Sequence, residues 1–338
     1  MPDALEYAVT LRGITEPRPG PRWQQLFATT WPAYRAWYLG ADGTGRPDLT
    51  TATAMLVRHM PELVPTYRRL VDLTGRDETA ARMLTLWDPP RFSPGCSQMA
   101  LTAPVPALCR NYDYSLDLFE GTVLTTSFTR PVIGTGDCLW GLLDGMNDAG
   151  LVVSLAFGGR PGSGQGFGVP LVVRYLLEVA ETTEQARLLL RRLPLAMAYN
   201  LTIVDATGDA VSAYLSHDGP PEFSEIPIAT NHRGDRPDFP ELSRALHSVE
   251  RREALLRLSA TDPGPAELLA AFLDAPLRNT GYSRSFGTLY TALYQPALGV
   301  VDYCWPGHTW RRGFTDPDAD PDATTTVVVR ESERQHVR

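Results

Sequence analysis

The chain has 338 residues, enough for one large domain or two ordinary ones. Hydrophobic residues make up 43% and charged residues 21%, a globular composition, and the net charge of −8 argues against nucleic acid as a partner. No apolar run reaches the ~18–20 residues of a membrane span. The first residues also lack the basic and apolar regions of a signal peptide, so we expect a cytoplasmic protein without membrane attachment.

The first 95 residues are predicted to be mainly helical. A strand-like run comes first and three helices follow, because apolar and aromatic residues recur at helical spacing: Tyr7–Leu11, then Arg22–Leu39, Thr51–Leu73 and Glu78–Trp87. Pro89 and Pro90 end the last helix. The chain then enters a loop rich in Pro, Ser and Gly that runs to Gly95.

After Cys96 the pattern changes to strands that alternate with pairs of helices. The predicted strands are Ser97–Leu101, Val105–Asn111, Thr122–Thr126, Leu151–Phe157, Leu201–Asp205, Ala210–Leu215, Gly287–Tyr294 and Val300–Trp305. The predicted helices are Pro170–Val179, Thr183–Leu193, Glu241–Leu258 and Pro265–Leu273. A stretch rich in Asp, Pro and Thr, residues 315–338, is predicted to be a mobile tail. This order favours an α+β fold with helices packed outside the sheets.

The four cysteines form no CxxC pair and have no histidine at metal-ligand spacing, so we expect neither a metal nor another cofactor. All 31 basic residues are arginine, which leaves no lysine to serve as a general base. Three of the thiols are interpreted as buried structural residues. Cys96 is the candidate for chemistry.

Cys96 lies where the helical segment meets the strand-rich remainder, directly after Gly95. If its thiol attacks the Gly95 carbonyl, the peptide becomes a thioester that water can hydrolyse. The second product then begins with Cys96, and its α-amino group titrates near ~7.7–8. Such an amine can act as the base for its own thiol, so no histidine is needed. Taken alone, a Gly-Cys pair is equally consistent with a structural cysteine.

Two charged residues follow at the end of the next predicted strand, in the run Cys109-Arg110-Asn111-Tyr112-Asp113. A hairpin would bring Arg110 and Asp113 back beside Cys96. There Asp113 would hold the new ammonium and the thiol, and Arg110 would lower the thiol pKa. An ordinary buried ion pair between the two is the alternative.

Asn200 opens the apolar strand before Asp205. A side-chain N–H aimed at the nucleophile would stabilise an oxyanion, an interaction typically worth ~2.7–4 kcal/mol. An asparagine that only caps a strand end or a turn is the alternative.

Taken in order, these runs resemble peptidase family C45, the N-terminal nucleophile (Ntn) hydrolases similar to acyl-CoA:6-aminopenicillanate acyltransferase. Choloylglycine hydrolases and penicillin V acylases are relatives of that family. The resemblance covers most of residues 92–305 and is carried by these segments: Gly95-Cys96, Arg110-Asn111-x-Asp113, Gly145-Met146-Asn147-x-x-Gly150-Leu151, Asn200 to Asp205, Gly168-Val169-Pro170, Thr230-Asn231-His232 and Ser248–Arg251.

The resemblance implies a four-layer αββα sandwich. Residues 1–95 would be a helical propeptide that stays associated after cleavage, residues 96–314 the catalytic domain and residues 315–338 the tail. Cys96 would be the nucleophile and its amino group the base. The catalytic residues would be completed by the site-organising pair and an oxyanion donor: Asp113, Arg110 and Asn200.

Other positions are candidates for the substrate pocket: Phe157, Asn111, Tyr112, His232 and Arg284. The choloylglycine branch has an asparagine where this chain has Phe157, and a later arginine of that branch matches Arg284 only loosely. Both departures favour the acyltransferase-like branch. His232 also fits the description of a structural histidine, since the mechanism needs none.

The leading hypothesis is an enzyme that cuts itself between Gly95 and Cys96 and then forms an acyl-thioester on Cys96. The acyl donor would be a small amide or thioester, acyl-CoA among them, and the acceptor an amine or water. Two alternatives stay open: a strict hydrolase of linear amides similar to penicillin V acylase, and an unprocessed, inactive binding protein on the same fold.

Overall fold

The structure is a computed structural model that describes residues 5–40, 46–92, 95–315, 320 and 322–331. Its strands, in chain order, are β1 (Glu6–Thr15), β2 (Gly95–Leu101), β3 (Ala107–Tyr114), β4 (Thr122–Ser127), β5 (Pro131–Asp137), β6 (Gly141–Asn147), β7 (Val152–Phe157), β8 (Tyr199–Val204), β9 (Ala210–Leu215), β10 (Glu222–Ser224), β11 (Ile228–Ala229), β12 (Thr280–Gly281), β13 (Phe286–Gln295), β14 (Val300–Trp305), β15 (His308–Gly313) and β16 (Thr324–Arg330).

The α-helices are α1 (Pro21–Leu39), α2 (Leu49–His59), α3 (Val64–Leu73), α4 (Glu78–Leu84), α5 (Val169–Val179), α6 (Thr183–Leu190), α7 (Pro240–Ala245), α8 (Ser248–Ser259) and α9 (Pro265–Phe272). Within the described residues, no helix is both long enough and apolar enough to cross a bilayer.

The described strands form two sheets that pack face to face. One has nine strands in the order β10-β9-β8-β7-β6-β5-β4-β1-β16, and the other has the order β11-β2-β3-β13-β14-β15 with β12 paired to β13. Gln98 of β2 joins them, because it accepts a bond from the Ser154 hydroxyl at 2.7 Å and donates to the Asn200 carbonyl at 3.2 Å.

Helices cover the outer face of each sheet. Helix α5 packs on β6 and β7, and α8 and α9 pack on the second sheet over an apolar cluster that includes Met99, Cys109, Leu255 and Phe272. All of β2 is buried because both of its faces are covered. The layers are therefore helix, sheet, sheet, helix, and the predicted αββα fold class is confirmed.

The N-terminal segment contributes a strand to the larger sheet as well as helices. Strand β1, which contains the predicted run Tyr7–Leu11, pairs in parallel with β4 and antiparallel with β16. Two indole N–H groups fasten the helices to the rest of the fold. Trp23 donates to the Leu139 carbonyl, and Trp140 donates to the Leu84 carbonyl, each at 2.9 Å.

Two predicted helices are each divided in the structure. The segment predicted as Thr51–Leu73 breaks between α2 and α3, where Pro61 has no N–H to donate and restricts the residue before it. The segment predicted as Glu241–Leu258 breaks between α7 and α8 at His247, whose φ of 47° is left-handed.

The prediction of a mobile tail over residues 315–338 is wrong for Thr324–Arg330, which form β16. The strand pairs with β1 in a register that sets Leu11 opposite Thr325 and Tyr7 opposite Val329. Its Thr and Val residues are β-branched and suit a strand. The Asp- and Pro-rich residues before them give the whole stretch a composition that is typical of a mobile tail.

Replacement of Val329 by alanine should lower the free energy of unfolding by roughly 1–3 kcal/mol, since buried methyl groups are lost. Val329 is 3% exposed and its neighbour Val328 is 58% exposed, so Val328→Ala is the matched control. Urea titration of both variants measures the difference. Equal, negligible losses would mean that this strand does not dock in solution.

Candidate active site

The antiparallel pair β2 and β3 assembles the site around Cys96. Their register sets Cys96 opposite Tyr112, Gln98 opposite Arg110 and Gly95 opposite Asp113. Residues at alternate positions of neighbouring strands share a face. Arg110 and Cys96 therefore both point toward the nine-stranded sheet, and the hairpin expected from the sequence places them in contact.

The Cys96 thiol is fully buried and lies 3.0 Å from Nη2 of Arg110. Burial raises the pKa of this thiol to about 11, and the charge of Asp113 adds to the rise, while Arg110 and Arg251 oppose it. In the uncut chain, Cys96 is thus protonated at neutral pH. Arg110 is the group best placed to stabilise the thiolate when it forms.

Arg110 is held by Asp144 of β6, on the opposite sheet. Nη1 of Arg110 lies 2.5 Å from the Asp144 carboxylate, and both side chains are fully buried. Asp144 also accepts bonds from the hydroxyls of Tyr290 at 2.6 Å, Thr135 at 2.8 Å and Tyr294. The alternative, an ordinary ion pair between Arg110 and Asp113, does not hold, because Arg110 pairs with Asp144 and this pair joins the two sheets.

Asp113 has a different set of neighbours. Its Oδ1 accepts a bond from the Thr288 hydroxyl at 2.6 Å, and its Oδ2 lies 3.8 Å from Nη1 of Arg251. Among the described residues, the buried Oδ2 has no hydrogen-bond partner. Burial raises the pKa of Asp113, and Arg251 is the largest opposing influence. One oxygen of this carboxylate therefore has a hydrogen-bond donor and the other lacks one among the described residues.

Two residues outside the predicted catalytic set contact the backbone of Cys96. Oδ1 of Asn231 accepts the Cys96 N–H at 3.1 Å and a guanidinium N–H of Arg251 at 2.6 Å. Arg251 also donates to the Cys96 carbonyl at 2.5 Å and to the Ser97 hydroxyl at 2.7 Å. The runs Thr230-Asn231-His232 and Ser248–Arg251 marked both residues in the sequence, although only as supporting matches.

Asn200 bonds to the segment that carries Asn231. Its two side-chain N–H groups donate to the carbonyls of Thr230 at 2.8 Å and His232 at 3.0 Å. Asn231, and not Asn200, forms the hydrogen bond to residue 96, so this geometry favours Asn231 over Asn200 as the candidate oxyanion donor. Asn200 instead braces the segment that carries Asn231.

His232 links the same segment to helix α8. Its Nδ1 lies 2.7 Å from the Ser248 hydroxyl, and burial, with the charges of Arg252 and Arg251, lowers the pKa of His232 to about 4. The imidazole is therefore neutral at physiological pH. Its contacts fit the structural alternative.

Of the remaining predicted pocket residues, two contact side chains that touch Cys96 and two do not. The Phe157 carbonyl accepts a bond from Nδ2 of Asn231 at 2.9 Å, and the Tyr112 ring lies 4.9 Å from the Arg110 guanidinium. Asn111 faces the outer helices, where it donates to the carbonyls of Phe272 and Leu277. Arg284 is exposed in a turn. Strand alternation turns Asn111 toward the outer helices, so its contacts do not support a place in the pocket, and no described contact joins Arg284 to Cys96.

Gly95 is required by close packing beside Cys96. A Cβ atom at this position would lie 2.2 Å from Cε2 of Phe286 and 3.2 Å from the Asp113 Cβ. A larger residue would displace Phe286. The carbonyl that precedes Cys96 therefore belongs to a residue without a side chain.

The sequence model of one protein family, described as "AAT: Acyl-coenzyme A:6-aminopenicillanic acid acyl-transferase", matches residues 102–310. The chain belongs to this family. The match confirms the resemblance found in the sequence, and it begins after Cys96, so the assignment of the nucleophile depends on geometry. No curated protein sequence matches the chain.

Several solved structures resemble that of this acyltransferase-family chain. A mutant conjugated bile acid hydrolase from Clostridium perfringens is 14% identical, with TM-score 0.45, over 70% of this chain and 97% of that one. A Caenorhabditis elegans ortholog of N-acylethanolamine-hydrolyzing acid amidase is 16% identical, with TM-score 0.46, over 60% and 93%. Penicillin V acylase from Agrobacterium tumefaciens is 14% identical, with TM-score 0.36, over 69% and 83%.

Substitution of Asp144 by asparagine should lower the free energy of unfolding by about 3–5 kcal/mol, because the charge of Arg110 is left buried without its partner. Asp148→Asn, in the same hairpin, breaks a surface pair with Arg130 in which Asp148 is 42% exposed. That control should cost no more than about 1 kcal/mol. Urea titration compares them, and equal losses would contradict a structural role for the buried pair.

Proposed function

We propose that this protein is a cysteine Ntn enzyme that activates itself by cutting the Gly95–Cys96 bond and then transfers acyl groups through Cys96. The observation that carries the proposal is the set of contacts on one residue. Arg110 contacts the Cys96 sulfur, Asn231 its N–H and Arg251 its carbonyl. A merely structural cysteine needs none of them.

In the cut, the Cys96 sulfur attacks the Gly95 carbonyl carbon and the thiol proton passes to the departing backbone nitrogen. The C–N bond breaks, which leaves a thioester and a free α-amino group. Water then hydrolyses the thioester, and the products are the Gly95 carboxylate and the restored Cys96 thiol. Arg110, 3.0 Å from the sulfur, stabilises the thiolate during the attack.

Cleavage changes the charge balance at Cys96. The new α-amino group titrates near ~7.7–8 and can take the proton of its own thiol, which the uncut backbone amide cannot do. Its ammonium form needs an anionic partner. Oδ2 of Asp113 lies on the residue opposite Gly95 and lacks a donor within the described structure, so it is the acceptor we assign to that ammonium.

The oxyanion donor that we propose is Asn231, in place of Asn200. Asn231 contacts residue 96 directly. Its Nδ2 donates to the carbonyl of Phe157, the last residue of β7 in the nine-stranded sheet. The amide dipole is fixed by Arg251 on its oxygen. A donor held in place in a buried site stabilises developing negative charge without reorganisation.

The two fragments produced by cleavage would remain bound to each other. Strand β1, in the N-terminal fragment, lies between β4 and β16 of the other fragment and pairs with both. Release would expose two strand edges and the buried residues Val9 and Leu11.

The family description supports a small acyl donor, an amide or a thioester such as acyl-CoA, with an amine or water as acceptor. A thioester on Cys96 serves either acceptor, since the second step differs only in which nucleophile reaches the carbonyl carbon. Turnover of one donor with and without added amine separates transferase from hydrolase.

Intact-mass spectrometry should find wild-type protein cut into pieces of 95 and 243 residues (338 − 95), and Cys96→Ala uncut. Cleavage should quicken from about pH 6 to about pH 9, because the pKa of the Cys96 thiol, about 11, lies above that range and the thiolate fraction rises with pH. Cys109→Ala, a buried thiol on the helix side of β3, is the control. A wild-type chain that stays whole yet turns over amides would refute self-cleavage.

Loss of Asn231 should slow cleavage by roughly 10²–10³-fold, the usual effect of removing an oxyanion donor. Asn200→Ala tests the rival donor, and Asn147→Ala is the matched control, since Asn147 is also a buried asparagine that donates to backbone carbonyls, those of Leu177 and Ala180. The half-time of cleavage, read beside thermal stability, distinguishes the variants. Normal cleavage in Asn231→Ala with slow cleavage in Asn200→Ala would restore Asn200 to the role.

A further inference from the structure

A cavity of about 450 Å³ lies between helix α1 of the N-terminal segment and the connection from β3 to β4. Among the residues that line it are five aromatic rings and two half-buried carboxylates: Tyr34, Trp37, Phe92, Tyr114, Phe119, Glu120 and Asp137. A space of this size suits a small molecule. The N-terminal segment forms one wall, and the segment after Cys96 forms the other.

This cavity flanks the Gly95–Cys96 bond. Tyr114 directly follows Asp113 on β3, and Phe92 lies three residues before Gly95. The Phe92 ring is 5.7 Å from that of Tyr199. Burial raises the pKa of Tyr199, with smaller contributions from the charges of Asp137 and Cys96, so this ring is near both the cavity carboxylate and the nucleophile.

The two carboxylates meet at a single phenol. The Tyr34 hydroxyl lies 2.7 Å from Glu120 and 3.1 Å from Asp137, and its one proton can serve only one of them. Glu120 has further donors in the Thr122 hydroxyl and the Leu139 N–H. Burial and the charge of Glu120 raise the pKa of Asp137 to about 7.

No positive charge balances this pair within the part of the chain that the structure describes: neither carboxylate forms an ion pair there. Arg91, the cation in the cavity lining, donates to the Pro161 carbonyl, and Asp117 adds a third carboxylate at the exposed rim. Two half-buried like charges that share one donor repel each other, and a cation between them would relieve that repulsion.

We propose that this cavity is a substrate subsite for a positively charged group, an ammonium carried by the acyl donor or by the acceptor amine. The inference rests on the proposed function, since it names the substrate class of that same site. The carboxylates of Asp137 and Glu120 attract the charge, and the rings of Trp37 and Phe92 offer their faces to it. Helix α1 thereby sets specificity as well as completing the fold.

The test uses full-length Cys96→Ala protein, which neither cuts itself nor forms an acyl-enzyme. Calorimetry compares two probes of the same shape, N-acetyl-3-(trimethylammonio)propylamine and its uncharged analogue N-(4,4-dimethylpentyl)acetamide. The cation should bind about tenfold more tightly or better, and Asp137→Asn should remove most of that preference while the affinity of the neutral probe stays the same.

Glu225→Gln is the matched control, because it removes one negative charge from a surface pair with Arg187 outside the cavity. It should leave both affinities unchanged. If Asp137→Asn fails to fold in a thermal melt, Trp37→Leu on α1 gives the same readout by removing an aromatic wall. Equal binding of the two probes, or a preference that survives these substitutions, overturns the subsite.

This experiment and the test of the proposed function can fail separately. In one outcome, Cys96→Ala prefers the cation while wild-type protein neither cuts itself nor acylates Cys96. That result would support the cation-binding cavity and refute the proposed enzyme activity. Cleavage and acylation of wild-type protein without that preference would keep the enzyme and refute the subsite.

Discussion

Arg110 and Asp144 face each other across the two sheets, and both side chains are fully buried. Each charge depends on the other, because an isolated ion in such a place is far less stable than in water. Three hydroxyls complete the shell of Asp144. The pair links the two sheets and fixes the direction of Arg110, whose Nη2 lies 3.0 Å from the Cys96 sulfur.

The same burial keeps the Cys96 thiol mostly protonated in the uncut chain. A thiol with a pKa near 11 presents little thiolate at neutral pH, even with a guanidinium 3.0 Å away. The backbone N–H of Cys96 is a donor to Asn231 and cannot accept a proton. In the proposed mechanism, cutting the chain turns that donor into an amine. The α-amino base would then exist only in the processed enzyme. Oδ2 of Asp113, which lacks a donor among the described residues, would accept a hydrogen bond from its ammonium form.

The N-terminal segment belongs to both the fold and the proposed pocket. Its strand completes the larger sheet between β4 and β16, and its first helix forms a wall of the cavity described above. A propeptide used only during folding would need neither arrangement. Retention after cleavage would therefore preserve the sheet and the Tyr34 contact to Glu120 and Asp137 together.

The sequence by itself was sufficient for much of the local structure and for the choice of Cys96 as the candidate nucleophile. Strand and helix periodicity placed many of the elements after Cys96, and Gly95-Cys96 followed by Arg110 and Asp113 predicted the β2–β3 hairpin, because neighbouring antiparallel strands return at a fixed spacing. It could not show that Asp144 is the partner of Arg110, that Asn231 rather than Asn200 contacts residue 96, or that β16 docks on β1. Those contacts join residues 34, 135 and more than 300 positions apart. Sheet stacking and the order of strands decide them, and no local pattern in the chain carries that information.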